Sequence, residues 1–453
     1  MPERVSGPRF RAGCAAVFVL AGLVTSWESL DYYWNWDDLH LIRAYSRPEL
    51  LGTLTVHWDP DEIESSGFRP MTTLFNHARA TAFGEQVVLH RLFLVGLFSA
   101  VLVLLGGVAV RLGEHRWAVL LAGILAVTAK NSYYHYVWIA DGVHLLQAFF
   151  FAVSAHFLLR SLNPGGRWSG VCAVVCAGLA LATREDSLAI VPVLLLIGYF
   201  HVNAAGEGRP TWSVHLVPPR LRNFAVLLFV ITAVFWAWRS TVVPGAARFN
   251  PDAPVFTRVG AMILWTVSLS GLDGSQWVFI TVGALAVSSL LMLEARDRRR
   301  ASVWLVAALI TTSIGSVEAR PNLLMFPVLF YSLFLASTVV AVARKRRWVQ
   351  VPAGLLMASL VILSVRSSRL EQLSLHPLST DQIYRDWSFI DGPLSGATIP
   401  AERRALLQAK LERIGVTGDR FDFDRWEASV RSAGPDRPEG DMVFVPPRRF
   451  LDP

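Results

Sequence analysis

The sequence predicts an all-α polytopic membrane protein, a bundle of about eleven transmembrane helices of roughly 20 residues each. Three observations lead to this fold class. Of the 453 residues, 53% are hydrophobic and only 17% are charged, whereas soluble proteins carry about 25% charged residues. Long apolar runs recur up to position 365, and short arginine-rich loops alternate with loops that are poor in positive charge. Together these features argue against a soluble enzyme, a disordered chain and a nucleic-acid-binding protein.

Each apolar run of about membrane length is interpreted as one span. The predicted spans lie near 12–30, 91–111, 117–130, 142–159, 169–183, 187–202, 223–243, 276–293, 302–317, 322–343 and 349–365. Residues 13–25 resemble the core of a signal peptide, but no small-residue cleavage site follows, so we expect a signal anchor. Segment 258–272 is apolar but short, and we expect an interfacial or re-entrant helix on the outer side.

The positive charges set the orientation. Arginine is concentrated in six short segments, at 4–11, 111–116, 160–167, 209–222, 296–300 and 344–347. The positive-inside rule places these segments and the N-terminus in the cytoplasm and the C-terminus outside it. The net charge of +7 is therefore interpreted as an orientation signal, and no nucleic-acid partner is expected. We expect a multi-pass protein of the plasma (inner) membrane, and the preference for arginine over lysine favours a bacterial source.

Two regions follow from this topology. Residues 1–365 form the predicted transmembrane domain, in which 31–90 is a long outer loop that carries amphipathic helices and the catalytic chemistry. Residues 366–453 are polar and are predicted to form a small appendage on the outer face. Within the appendage, 400–415 has the pattern of an amphipathic helix that ends at Gly415.

The outer loop begins with a pair of acids. Asp37 and Asp38 closely follow the first predicted span, among the aromatic residues at 32–34 and 36. A carboxylate that is partly removed from water suits a general base because desolvation raises its pKa, and neighbouring rings can pack against a sugar. A solvated pair of acids beside an interfacial aromatic belt is the alternative.

A set of short motifs follows these acids in order. The first outer loop continues with Phe-Arg-Pro-Met-Thr at 68–72, Phe-Gly at 83–84 and His90. Later outer turns hold Tyr-Tyr-His-Tyr-Val-Trp-Ile-Ala at 133–140, Leu-Ala-Thr-Arg-Glu at 181–185, and Glu-Ala-Arg at 318–320 with Pro327. Over residues 12–345 this series resembles the GT-C superfamily of glycosyltransferases. It is most similar to the transmembrane and tetratricopeptide-repeat mannosyltransferases and their bacterial relatives, and more distantly to the protein O-mannosyltransferases. The repeat array of the eukaryotic members has no counterpart in the sequence.

The resemblance implies a GT-C-type helical bundle and a specific reaction. Such enzymes take a sugar, here expected to be mannose-like, from a polyprenyl-phosphate donor and pass it with inversion to an acceptor on the outer face. The expected partners are membrane lipid, the lipid-linked sugar, and an acceptor that is a protein, a lipid or a polysaccharide. No cofactor or metal is required by this interpretation, because arginines can stabilise the leaving phosphate. A divalent cation at Asp37 and Asp38 is the less favoured alternative.

The resemblance also assigns roles to residues. Asp37 is the expected base and Asp38 positions the substrate or shares the proton. The donor phosphate or sugar is expected to meet arginines, histidines and orienting glutamates, namely Arg69, Arg91, Arg184, Arg320, His90, His135, Glu185 and Glu318. Each has a structural alternative: Arg69 can join its loop to nearby acids, Arg184 and Glu185 can form an ion pair at a helix end, and Arg91 and Arg320 can extend to lipid headgroups.

One outer turn departs from the family pattern. Ala140, Asp141 and Gly142 stand where relatives carry Gly-Arg, so Lys130, His135 and His144 are the alternative cations of this turn. Two other functions therefore stay open at the level of sequence. One is a transporter or flippase of a lipid-linked substrate, and the other is a non-catalytic assembly protein. A transporter would place charged or broken helices at the bilayer midplane, whereas the predicted charges gather at one surface.

Overall fold

The computed structural model describes residues 7–30, 41–55, 68–84, 86–163, 166–204, 218–243, 254–269, 276–316, 321–345 and 347–390. Within these ranges the regular structure is helical and no strand forms. Seven of the described helices are long and apolar enough to cross a bilayer, judged by length and composition. They lie at 8–26, 87–111, 140–161, 185–203, 219–242, 325–345 and 348–369. The all-α polytopic fold is therefore confirmed, while the number of spans stays a prediction.

The described α-helices follow one another along the chain. Those of the first half are α1 (Pro8–Ser26), α2 (Arg47–Gly52), α3 (Pro70–Phe83), α4 (Val87–Arg111), α5 (Arg116–Thr128), α6 (Lys130–Val137), α7 (Val143–Ser161) and α8 (Arg167–Thr183). Those of the second half are α9 (Ile190–Ala204), α10 (Pro219–Val242), α11 (Val255–Ser268), α12 (Gln276–Ser289), α13 (Ala295–Gly315), α14 (Met325–Lys345) and α15 (Arg347–Ile390). Short 3-10 turns at Ala140–Gly142 and Glu185–Ala189 introduce α7 and α9.

Local sequence explains where several helices begin and end. Helix α2 starts with a capping box, in which Ser46 accepts from the backbone N–H of Glu49 and the Glu49 carboxylate accepts from that of Ser46. This exchange satisfies two backbone donors at the helix start. Helix α3 starts at Pro70, which lacks the N–H that would be unpaired in a first turn. It ends at Gly84, whose φ of +56° favours glycine.

Helix α14 lies at the centre of the bundle and α15 at its edge. Of the apolar window in α14, 78% is buried, against 17% in α15. Helix α14 packs along α5 and α13, and α7 packs along α4 and α8. Other helices expose large apolar side chains, as α10 does with Leu227, Phe229 and Val234. An apolar surface of this kind suits contact with lipid.

Polar contacts that join distant segments concentrate at one end of the bundle. This end contains the start of α3 and α7, the end of α8 and the end of α10. There Thr72 donates to the carbonyl of Thr183, and Trp238 donates to the carbonyl of Leu54. At the opposite end Arg111 donates to the carbonyl of His156. The arginine-rich segments near 111–116 and 160–167 therefore share the end that the charge pattern predicts to be cytoplasmic.

All eleven predicted spans coincide with helical segments, although three are short. The helices at 116–128, 168–183 and 276–292 have fewer than 18 residues. The final helix continues through Ile390, well beyond the predicted span end at 365, and Ser368 joins it to the carbonyl of Thr128. Segment 258–272 overlaps the short apolar helix α11. The predicted helix at 400–415 lies outside the described residues.

Candidate functional site

The carboxylate of Glu185 is the centre of one polar group. Its Oε1 accepts from the backbone N–H of Phe68 at 2.8 Å and from Nε of Arg239 at 2.9 Å. Its Oε2 lies 3.7 Å from Nη2 of Arg69. Arg69 and Glu185, which were predicted separately as site residues, therefore meet in space, and a second guanidinium from α10 joins them.

Aromatic packing fixes the position of this group. The ring of Phe68 is buried and packs against Phe235, and it contacts Trp238 edge-on with 4.8 Å between ring centroids. The guanidinium of Arg239 lies 5.2 Å from the ring centroid of Trp236. Because Phe68 precedes Arg69 and these rings belong to α10, the packing holds both arginines on the same side of the bundle.

A second polar group is formed by the residues on either side of Glu185 in the chain, together with Gln147. Nε of Arg184 lies 3.2 Å from Oδ1 of Asp186. Gln147 of α7 donates to the same oxygen at 3.0 Å and to Oγ of Ser187 at 2.6 Å. Arg184 pairs with Asp186, two residues further on, and Glu185 pairs with the arginines of other segments.

A third group consists of two histidines around one aspartate. Nδ1 of His135 lies 2.7 Å from Oδ2 of Asp141, and Nε2 of His144 lies 3.4 Å from Oδ1. All three side chains are buried, and their ligand atoms lie within 4.8 Å of one another. Two imidazoles and a carboxylate at this spacing could hold a divalent metal ion.

The three groups form one connected region. Asp186 interacts electrostatically with Arg184, His144 and Arg69. His144 interacts in turn with Arg184, Asp141 and His135. Low effective dielectric strengthens charge interactions in such partly buried surroundings. The region therefore combines guanidinium groups, which can bind phosphate, with carboxylates and imidazoles, which can orient a ligand or accept a proton.

Two further predicted residues lie at the same end in contacts with the backbone. His90 is buried, and its Nε2 lies 3.0 Å from the carbonyl of Gly84. Arg91 is 1% exposed and donates to the carbonyls of Val137 and Leu30. No contact between these two residues and Glu185 is seen in the described ranges. Arg91 instead joins α4 to the ends of α6 and of the first span.

Four predicted site residues, Asp37, Asp38, Glu318 and Arg320, lie outside the described residues. Their expected roles as base, partner acid and phosphate-binding pair therefore stay predictions. The nearest described residues are Leu30 and Leu41, which flank the segment with Asp37 and Asp38, and Ser316 and Pro321, which flank the segment with Glu318 and Arg320.

Comparison with known proteins gives distant structural likenesses, including one to ArnT and one to AglB. No family model matches the sequence, and no curated protein matches it. ArnT from Cupriavidus metallidurans, in the apo state, has 17% identity and a TM-score of 0.48, and the match covers 92% of this chain and 74% of ArnT. The archaeal oligosaccharyltransferase AglB from Archaeoglobus fulgidus, in complex with an inhibitory peptide and a dolichol-phosphate, has 11% identity and a TM-score of 0.47. That match covers 79% of this chain and 56% of AglB. At these values neither likeness identifies a family or an activity for this chain.

Sequence reasoning missed Arg239, Asp186, Gln147 and the pairing of His144 with Asp141. An arginine near the end of an otherwise apolar run is costly in a membrane and indicates a function or a buried partner. The position of Arg239 in the sequence could therefore have predicted a site residue. His144 follows Asp141 by three residues, the spacing of one helical turn. The association of Gln147 with Asp186 had no comparable signal, because it depends on how α7 packs beside the turn at Glu185–Ala189.

Proposed function

We propose that the chain is an integral-membrane glycosyltransferase that moves a mannose-like sugar from a polyprenyl-phosphate donor to an acceptor on the outer face, with inversion. The observation that carries the proposal is the convergence of Arg69, Arg184 and Arg239 on two adjacent carboxylates at one end of an apolar bundle. A lipid-linked phosphate has the matching chemistry, with an anionic group at the end of an apolar chain.

The arginines suit the leaving group of this reaction. Guanidinium groups bind phosphate oxygens in a planar, bidentate manner and stay charged at all relevant pH values. The side chain of Arg69 is 18% exposed and that of Asp186 is 24% exposed, so the region is accessible from its surface. Positive groups held in advance stabilise charge that develops on the phosphate as the bond to the sugar breaks.

The carboxylates have a positioning role in this proposal. Glu185 fixes Arg239 and lies beside Arg69, and Asp186 orients Arg184. His135 belongs to the same region and is assigned to the sugar, while Arg320 is assigned to the phosphate and Glu318 to the orientation of Arg320. His90 and Arg91 support the region through the backbone contacts at Gly84, Val137 and Leu30.

The base is assigned to Asp37, with Asp38 as its partner acid. The loop that holds them connects two described segments that contact the site region: Leu30 accepts from Arg91, and Leu54 accepts from Trp238. An acceptor hydroxyl that loses its proton to Asp37 can attack the sugar carbon opposite the phosphate. This geometry gives inversion.

A transfer assay tests the proposal directly. The purified chain is placed in lipid nanodiscs with radiolabelled mannosyl polyprenyl phosphate, and sugar release to water or to added acceptors is measured. Replacing the base reduces rates by about 10²-fold or more. We therefore expect at least this loss in D37N or D38N, and little change in D61N, an acid in the same outer loop.

Three outcomes would contradict the enzyme proposal. The first is that the wild-type chain neither transfers nor hydrolyses the sugar of mannosyl polyprenyl phosphate or of other polyprenyl-phosphate sugars, which is expected of an assembly protein. The second is that D37N and D38N both retain wild-type rates. The third is that labelled donor crosses the bilayer without loss of its sugar, which is the behaviour of a flippase.

A further inference from the structure

We propose that His135, Asp141 and His144 form a binding site for a divalent transition-metal ion of the Zn²⁺ class. The three side chains offer two imidazole nitrogens and one carboxylate, and their ligand atoms lie within 4.8 Å of one another. The proposal rests on this geometry and not on the glycosyl transfer proposed above, although His135 belongs to both.

The separations between the side chains are those of ligands around one small ion. His135 Nδ1 and Asp141 Oδ2 are 2.7 Å apart, and His144 Nε2 and Asp141 Oδ1 are 3.4 Å apart. Atoms bonded to a tetrahedral Zn²⁺ at about 2.0–2.2 Å lie roughly 3.3–3.6 Å from each other. Small side-chain rotations would therefore suffice to bring the three groups around one ion.

A buried nitrogen supplies a second observation. Nε2 of His135 is buried and has no hydrogen-bond partner among the described residues, whereas Nε2 of His144 already lies 3.4 Å from Oδ1 of Asp141. The centroids of the two rings are 4.9 Å apart, and the ring planes are tilted by 50°. Buried polar atoms in proteins are nearly always paired, and an imidazole nitrogen without a partner is available as a metal ligand.

The backbone that carries the three ligands is held in place. They come from a ten-residue segment that joins the end of α6 to the start of α7. Arg91 donates to the carbonyl of Val137, and Arg79 donates to that of Ile139. Both contacts restrain the backbone between His135 and Asp141, from which the ligand side chains project.

The ligand set selects the kind of ion. Zn²⁺ binds two histidines and one carboxylate in a common three-ligand arrangement that leaves a further position open. Mg²⁺ and Ca²⁺ prefer sets made of oxygen atoms. We therefore expect Zn²⁺ or Co²⁺ to bind more tightly than Mg²⁺. A bound ion would hold the end of α6 against the start of α7.

Metal titration of the full chain tests this site. The protein is purified without a histidine tag, treated with chelator, reconstituted in nanodiscs, and titrated with Zn²⁺, Co²⁺ or Mg²⁺. Bound metal is measured by elemental analysis and by the visible absorption of Co²⁺. We expect one Zn²⁺ per chain, with affinity reduced at least tenfold in H135A and in H144A.

Two further variants separate ligand loss from misfolding. H144C keeps a zinc ligand at the same position, so it is expected to retain more affinity than H144A. H156A removes another histidine of α7, the helix that carries His144, and this variant is expected to bind Zn²⁺ as the wild type does. Substoichiometric Zn²⁺, equal affinity in H135A, H144A and wild type, or an equal loss in H156A would overturn the proposal.

Discussion

Arg239 and Glu185 are joined by a contact of 2.9 Å between Nε and Oε1, although 54 residues separate them in the chain. The arginine is 3% exposed and the glutamate side chain is 14% exposed. The contact links the end of α10 to the turn between α8 and α9. It also places a guanidinium group beside Arg69, which approaches the same carboxylate from the start of α3.

The two arginines at Glu185 should differ in their effect on stability. R239Q leaves a mostly buried carboxylate without its nearest cation, and breaking a buried pair costs about 3–5 kcal/mol. R69Q removes a partner that is 18% exposed and lies farther away, at 3.7 Å, so its loss should cost less than the loss of Arg239. Denaturation in mixed micelles measures both free energies of unfolding. If the two variants are destabilised equally, Arg239 is not the main partner of Glu185.

Arg91 should act through the backbone that it supports. R91K keeps the charge, but a single ammonium group cannot donate to the carbonyls of both Val137 and Leu30 as the planar guanidinium does. A buried carbonyl without its donor costs about 1–3 kcal/mol, so the free energy of unfolding should fall by that amount. Donor-lipid affinity should change less than in R69Q. A large loss of affinity with unchanged stability would instead make Arg91 a direct phosphate ligand.

Packing between α1 and α5 gives a prediction that is independent of the site. A Cβ at Gly123 would overlap the ring of Phe18, whereas a Cβ at Gly96 meets nothing within 4 Å. G123A should therefore be destabilised by about 1–3 kcal/mol, the usual cost of overpacking. G96A should be neutral or more stable by up to about 1 kcal/mol, because alanine is the better helix former. Thermal unfolding of both variants tests the contact, and equal midpoints would refute it.

The opposite end of the bundle should give a pH dependence of stability. Burial raises the pKa of Glu114 above its ordinary value of 4.5, although Trp304 donates to the carboxylate at 3.0 Å and Arg300 lies nearby. The folded state therefore holds the proton more tightly than the unfolded state does. The contribution of Glu114 to the free energy of unfolding is complete below pH 4.5, and it falls as the pH rises toward the raised pKa.

E114Q tests this pH dependence. The glutamine keeps an oxygen that can accept from Trp304 but cannot lose a proton, so the variant should lose less stability than the wild type as pH rises above 4.5. Unfolding curves at a series of pH values provide the comparison, with E49Q as a control on an acid outside this buried group. Parallel pH profiles for E114Q and wild type would contradict the assignment.

The described structure indicates which features could be derived from the sequence. Spans were predictable because crossing a bilayer requires long apolar runs, and each run coincides with helix. Arg69, Arg184 and Glu185 were found through short motifs, but the pairing of Glu185 with Arg239 depends on how α10 packs. The 3-10 turn that brings Asp141 between His135 and His144 is likewise a property of the fold. The pairing of Glu185 with Arg239 depends on the packing of distant helices, which local patterns do not encode, whereas the arrangement around Asp141 depends on a local turn.

Affinity for the donor lipid tests the central claim most directly. Polyprenyl phosphate is titrated into the chain in nanodiscs, and binding is measured for wild type, R69Q and the control R111Q at the opposite end. If the arginines around Glu185 and Asp186 hold the phosphate, R69Q should bind at least tenfold more weakly than wild type, a loss of about 1.4 kcal/mol, and R111Q should bind as wild type does. Equal affinity in all three proteins would contradict the account.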